Sequence, residues 1–284
     1  MKALIQMIWD DKKDVLLAMT AGTISGLTAV ALFAQSGFLI SKAALMPPFY
    51  IILILTAFLK LFGVAKSTSK YAERYISHRV TFRFMSAVRM RFFKKLVARV
   101  NLLHSYKSGD LLNRITSDVD LLQNFFLRVV YPPFIALFVF LATILFTIWF
   151  SPWLAMILMI GFIFTSTVVP AIFIYLKSQT TVQVKNAFTN EATEYLYGYR
   201  DLQLHDQLVA KEQTLQKISL DYSRLKKLEM NREQSAHFWN QFVSLVTAFF
   251  VISVGAYFVS VGALDGLYLA MLVLIALTVF ESAI

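Results

Sequence analysis

The residues best suited to chemistry form a basic row: Lys60, Lys66, Lys70, Arg74 and His78. The last four recur at i, i+4, so on a helix they follow one slowly drifting face. Lys60 falls about 12 residues beyond Pro48, near mid-depth of an apolar run long enough to cross a bilayer. A cation at that depth is expensive and usually faces a cavity or a partner. Lys60, Lys66 and Lys70 on one helix would offer an anionic ligand a cationic wall. The competing reading is that these lysines snorkel to the interface as part of the ordinary excess of basic residues there. His78 and Arg74 are one turn apart. An imidazole can ligate haem iron, and a neighbouring cation can pair with a propionate. The competing reading is a stalk histidine packed on the next helix.

Other chemistry is absent from the sequence. There is no cysteine, which excludes disulfides, thiolate metal sites and cysteine nucleophiles. There is no GxxxxGK phosphate loop, no HExxH and no GxSxG. His78, His104, His205 and His237 are scattered, so no metal-ligand spacing links them. The chain has no evident means of hydrolysing anything.

The elements that must carry the basic row are membrane helices. The 284 residues are 58% hydrophobic and only 15% charged, with 26 phenylalanines. A soluble domain is nearer 25% charged. Several unbroken apolar runs of about 18 residues or more indicate a polytopic helical membrane protein. Their continuity disfavours a β-barrel, whose strands alternate. The longest element runs over about 48–100. It starts as a span and continues without a proline into KSTSKYAERYISHRVTFRFMSAVRMRFFKKLVARV. At 1.5 Å per residue this is a rod of roughly 80 Å, against about 30 Å of hydrocarbon. Half of it must leave the bilayer.

Six spans are expected, at about 15–40, 48–66, 129–150, 154–176, 238–259 and 267–284. Pro132 and Pro133 should bend the third near its start. MKALIQMIWDDKKD precedes an apolar run too long for a signal peptide, so the first span is expected to be uncleaved with its N-terminus inside. Two long polar segments, about 67–128 and 177–237, are then intracellular helical hairpins. Of the 27 Lys and Arg, only Lys42 falls in the three short outer loops, as the positive-inside rule requires. That rule also accounts for the net charge of +10, so no nucleic-acid partner is called for.

The hairpin tips are YKSGDLL and EYLYGYRDLQ. Each sets a glycine among aromatics and charges. A hairpin protruding this far needs a partner at its end. Tyr106, Gly109 and Asp110 at the first tip, and Tyr197, Gly198 and Arg200 at the second, are expected to dock into a soluble module and pass motion to the spans. The alternative is a solvated stalk. Arg114 and Asp118, at i, i+4, read as braces of the first hairpin.

This architecture, with GDLLNRITSDVD followed by FFLRVVYPP, resembles the transmembrane domain of a type IV ABC exporter. In that family a Gly-acid-Leu, an Arg and an Asp-Val-acid follow the first coupling helix. Here they are Gly109, Asp110, Leu111, Arg114, Asp118, Val119 and Asp120. SGFLIS at 36–41, ERYISHRVTFRF at 73–84 and LLQNFFLRVVYPP at 121–133 further resemble the C subunit, the CydC type, of the heterodimeric thiol exporter required for cytochrome bd assembly. The resemblance covers the whole chain.

The resemblance implies an all-α fold of six spans and two long intracellular hairpins, in a multi-pass protein of the bacterial plasma membrane. It implies ATP-driven export of cysteine or glutathione, with a homologous D-type half-transporter as partner. It also implies haem b at the histidine of the ERxxSH stretch, in a regulatory role. Lys60, Lys66 and Lys70 would then line the substrate cavity, since these thiols carry carboxylates. ATP and Mg belong to the family's C-terminal nucleotide-binding domain. The sequence stops within the sixth span, so that domain is expected to lie outside it. Two alternatives remain: a haem-binding membrane sensor or carrier, and an exporter of peptides or lipids. The mid-membrane lysine argues against lipid.

Overall fold

The computed structural model describes residues 12–97, 131–175 and 180–281. Among the described residues every regular element is helical. In chain order these are α1 (Lys12–Ala44), α2 (Phe49–Val97), α3 (Tyr131–Ile148), α4 (Pro152–Ile163), a π-helical turn (Phe164–Val168), α5 (Val169–Tyr175), α6 (Thr180–Tyr197), α7 (Tyr199–Leu204), α8 (Leu208–Ser260), a 3-10 turn (Gly266–Tyr268) and α9 (Leu269–Glu281). Among the described residues, five helices are long and apolar enough to cross a membrane: Lys12–Ala44, Phe49–Val97, Tyr131–Ile148, Pro152–Phe173 and Leu208–Ser260. A shorter apolar helix covers Gly266–Phe280.

The rod is a single helix. α2 runs 49 residues without a break, roughly 74 Å at the standard rise. Gly63 does not interrupt it. In hydrocarbon, unpaired backbone groups cost several kcal/mol, so the helical hydrogen bonds hold a glycine that would weaken a helix in water. Beyond the span, Lys, Arg, Ala, Glu and Met favour the helix by themselves.

The chain divides into two compact units. The first is Met1–Phe162 with Ser244–Ile284. Here α1 packs along α2, with α3 and α9 also against it. Three polar contacts register α1 antiparallel to α2. Arg83 pairs with Asp14 at 2.9 Å, Ser25 Oγ donates to Lys66 O at 3.3 Å, and Gln35 Nε2 donates to Leu55 O at 3.4 Å. Gly37 lets α1 approach α9: a Cβ there would lie 2.6 Å from Ala270 O, so any larger residue must push two backbones apart. The core is Phe140, Leu154, Leu158, Val251, Leu272 and Ile275, drawn from α3, α4, α8 and α9. α3 and α4 meet at a tight turn. Phe150 and Ser151 N–H both donate to Thr147 O at 3.0 Å, and Pro152 opens α4, where its missing N–H leaves no bond unmade. Pro132 and Pro133 sit in the first described turn of α3; residues 129 and 130 lie outside the described set.

The second unit is Ile163–Val243. Its first feature is the π-helical turn at Phe164–Val168. Pro170 explains it. A proline ring clashes with the carbonyl four residues back and lacks an N–H, and widening the preceding turn relieves both. The second hairpin follows. Phe188 of α6 stacks on Tyr222 of α8, centroids 5.5 Å apart. Lys211 of α8 reaches Glu191 at 2.5 Å and Glu194 at 3.2 Å on α6. Hydrogen bonds that the Lys211 ammonium donates, first to Glu191 and then to Glu194, hold it above the usual lysine range. A raised lysine supports the fold below its unfolded value of about 10.4 and loses that support only as pH climbs through the folded value. The pair is therefore intact at neutral pH. The chain reverses through α7 and a turn at 205–207, where Asp206 takes a positive φ of 53°, a region Asp tolerates better than most residues.

Candidate functional site

The first unit holds a cavity of about 500 Å³ among α1, α2 and α3. Lys66, Lys70 and Glu73 line it from α2, Gly22, Ser25 and Gly26 from α1, and Tyr131 and Ile135 from α3. The glycines make its α1 side. A Cβ at Gly22 would run into Ile135 and come within 3.2 Å of Glu73 Cγ. Two of the three lysines of the expected wall are thus at one cavity. Lys66 is half-buried and sits over the Phe33 ring, 6.0 Å from its centroid. Lys70 leaves its side chain 59% exposed. Lys60 is exposed and is not among the lining residues.

Helical phase explains the split. At 100° per residue, Lys70 lies about 40° and Glu73 about 20° from Lys66 around the axis. Ser77 and Val80 fall within about 40° on the same face, and both are buried. Lys60 is about 120° away, Arg74 about 80° and His78 about 120°. The i, i+4 row therefore leaves the packed face, while alternating steps of three and four stay on it. Arg74 and His78 are exposed. His78 stacks on Phe82, centroids 6.0 Å apart, and Tyr71 stacks on Tyr75 at 6.4 Å.

The cavity's chemistry centres on Glu73, which the basic row concealed. It is 6% exposed and the only acid on α2, against ten Lys and Arg. Tyr131 Oη donates toward Glu73 Oε1 at 2.9 Å and toward Ala18 O at 3.0 Å. One hydroxyl proton is divided between two acceptors. Lys70 Nζ lies 2.9 Å from Glu73 Oε2 but off the hydrogen-bonding direction, leaving Oε2 without an aligned donor among the described residues. Two ammoniums against one carboxylate give the cavity one net positive charge. Such a site suits an anion or a zwitterion. Two signals in the sequence pointed here: Glu73 stands seven residues from Lys66, on the same face, and it is a lone acid in a basic helix. Nothing in the sequence paired it with Tyr131, 58 residues on.

A second cavity, about 530 Å³, lies farther along α1. Leu27, Phe38, Phe62, Phe146 and Met271 line it, with Gln35 as a polar member. Neither cavity includes Arg74 or His78. Among the described residues no cluster of three or more His, Cys, Asp or Glu could hold a metal ion.

At the second hairpin tip, Tyr197 is 90% exposed and ends α6. Gly198 separates it from α7, and Arg200 on α7 is exposed. A Cβ at Gly198 would lie 2.9 Å from Glu194 O, so the kink needs glycine. Leu196 and Leu204 are also bare. The first tip, with Tyr106, Gly109 and Asp110, lies outside the described residues, as do Arg114 and Asp118.

Comparison with known proteins matches this chain to transport proteins. It is 29% identical over 185 residues to the glutathione/L-cysteine transport system ATP-binding/permease protein CydD of Bacillus subtilis, covering 64% of this chain and 31% of that protein. It is 27% identical over 146 residues to the protein CydC of the same kind of system in Haemophilus influenzae, covering 50% of this chain and 25% of the relative. Over 71 residues it is 38% identical to CydC of Escherichia coli, covering 25% and 12%. The chain spans under a third of the length of each of these relatives. The family described as ABC transporter transmembrane region matches residues 15–282, and with its all-helical fold of apolar spans the chain belongs to that family as a type IV exporter membrane domain.

Proposed function

We propose that the chain is the membrane-spanning half of an ATP-driven exporter that moves cysteine or glutathione out of the bacterial cytoplasm and so supports cytochrome bd assembly. The observation that carries this reading is the cavity of Lys66, Lys70 and Glu73, in a chain whose relatives are named for glutathione and L-cysteine transport. Cations lining a cavity bind carboxylates through charge-assisted hydrogen bonds. Its size falls within the usual range for small-molecule sites. A homologous D-type half-transporter is the partner, and nucleotide-binding domains supply ATP and Mg. The near-absence of Lys and Arg from the short outer loops supports a cytoplasmic N-terminus, in a protein taken to span the bacterial plasma membrane.

The test uses the full transporter with its partner in inverted vesicles. ATP-dependent uptake of labelled glutathione or cysteine is expected. Lys66→Ala should reduce it about tenfold, since losing one charge-assisted contact costs about 1.5 kcal/mol or more. ATP-dependent uptake of a peptide or lipid with no thiol uptake would sink the assignment in favour of another exporter.

Haem b is the second element of the proposal, and it also stands alone as a sensor or carrier reading. His78 offers an exposed imidazole, Arg74 an exposed cation one turn away, and Phe82 a flat neighbour. These residues fit a haem edge: His78 as iron ligand, Arg74 for a propionate. A bound haem would supply a redox-responsive iron through which transport is regulated. Purified protein loaded with haem should show a Soret band that His78→Ala reduces severalfold. An unchanged band in that variant removes His78 as the ligand.

A further inference from the structure

We propose that Glu73 is a specificity residue that reads the free α-ammonium group of the substrate. The inference rests on the thiol-exporter reading above and deepens it.

A buried carboxylate is costly unless its acceptor sites are filled. Glu73 is 6% exposed, yet it shares one tyrosine proton with a backbone carbonyl and leaves Oε2 without an aligned donor among the described residues. Its ion-pair partner is loosely held. The Lys70 side chain is 59% exposed, while that of Glu73 is only 8% exposed. Lys70 can therefore return to water, and a substrate ammonium that takes its place at Oε2 keeps the buried carboxylate paired. The cavity thus offers a carboxylate with spare acceptor capacity beside two ammoniums. A donor cation joined to a carboxylate by a short linker fits it.

The α-amino-acid head is such a group. L-cysteine and glutathione share it: cysteine at its only α-carbon, glutathione at the γ-glutamyl end. The α-ammonium takes Glu73 Oε2 and the α-carboxylate takes Lys66. Lys70, released from Glu73, is free for glutathione's second carboxylate. The charges agree as well. Glutathione is a monoanion at neutral pH, against a cavity with one net positive charge. One site therefore serves two thiols of different size by reading the part they have in common.

The experiment compares ATP-dependent uptake of L-cysteine and N-acetyl-L-cysteine by the full transporter with its partner in inverted vesicles. The two thiols differ by an acetyl cap on the nitrogen. Wild-type protein is expected to prefer L-cysteine at least about tenfold in kcat/KM. Glu73→Gln should raise KM for L-cysteine about tenfold and leave N-acetyl-L-cysteine unchanged, which erases the preference. Tyr131→Phe keeps the carboxylate and should keep the preference. Should Glu73→Gln fail to assemble, Glu73→Asp carries the test, with a higher KM for L-cysteine alone. Equal uptake of both thiols by wild type overturns the proposal. So does a Glu73 variant that slows both thiols in parallel, because that is the signature of a merely structural ion pair. Absence of any thiol uptake overturns the exporter reading, and this inference with it.

Discussion

Phe140→Ala should lower the stability of the membrane domain by about 2–3 kcal/mol, while Phe138→Ala should change it by less than about 0.5 kcal/mol. Both phenylalanines are on α3, two residues apart. Phe140 is 1% exposed and Phe138 is 51% exposed. The Phe140 ring lies 4.0 Å from Phe162 and 5.2 Å edge-on from Phe280, so it joins three helices. For a soluble core the expected loss would be about 3–5 kcal/mol, but part of that is transfer out of water. Lipid tails are as apolar as a protein core, so within a membrane the transfer contribution nearly vanishes. What remains is the void. Phe→Ala removes about 100 Å³, and at about 24 cal/mol per Å³ the void costs about 2.4 kcal/mol. Phe138 leaves about half of its surface uncovered by protein, and lipid fills the space it vacates. Thermal or denaturant unfolding in detergent micelles measures both variants. Equal losses would mean that Phe140 is not packed as described.

That pair also shows what was legible in the sequence. Apolar runs of 18 residues announce spans because the bilayer fixes their length. The rod was readable for the same reason, since nothing between Phe49 and Val97 can stop a helix. Which side of a span faces protein was not readable. In α3 nearly every residue is apolar, so Phe138 and Phe140 look alike and no stripe marks the packed face. Buried threonines such as Thr143 and Thr147 bond to their own helix and so mark no partner. The π-helical turn before Pro170 was half-legible: proline announces a defect but not its form. In the site, the basic row drew attention to α2 and to Lys66. Its regular spacing also pointed past Glu73, because a step of four drifts off the face that seven preserves. Tyr131 was beyond reach. Its bond to Glu73 is a tertiary contact, and no local pattern encodes it.

If the chain works as the proposed ATP-driven exporter, replacing Tyr197 at the second hairpin tip should uncouple ATP hydrolysis from transport. The tip carries three large apolar side chains with no cover: Leu196 at 74%, Tyr197 at 90% and Leu204 at 73% exposed. Exposed apolar groups clustered at the end of a polar hairpin mark a contact surface. Aromatic anchors carry most of the binding energy at such surfaces, about 2 kcal/mol or more when they are hot spots, and 2 kcal/mol is about thirtyfold. Tyr197→Asp removes the ring and adds a charge that an apolar pocket rejects. Because Tyr197 touches little of its own hairpin, the variant should fold as the parent does. On the proposed thiol-export function, substrate-stimulated ATPase and thiol transport by the full transporter are both expected to fall about thirtyfold, with basal ATPase retained. Leu220→Ala is the control. Leu220 is 66% exposed but lies along α8, away from the tip in sequence, and its loss should leave coupling intact. Mere exposure would make the two positions behave alike. Docking of the tip into a nucleotide-binding domain makes them differ. Full coupling in Tyr197→Asp would show that the second tip is a solvated end and that any transmission runs through the first hairpin alone.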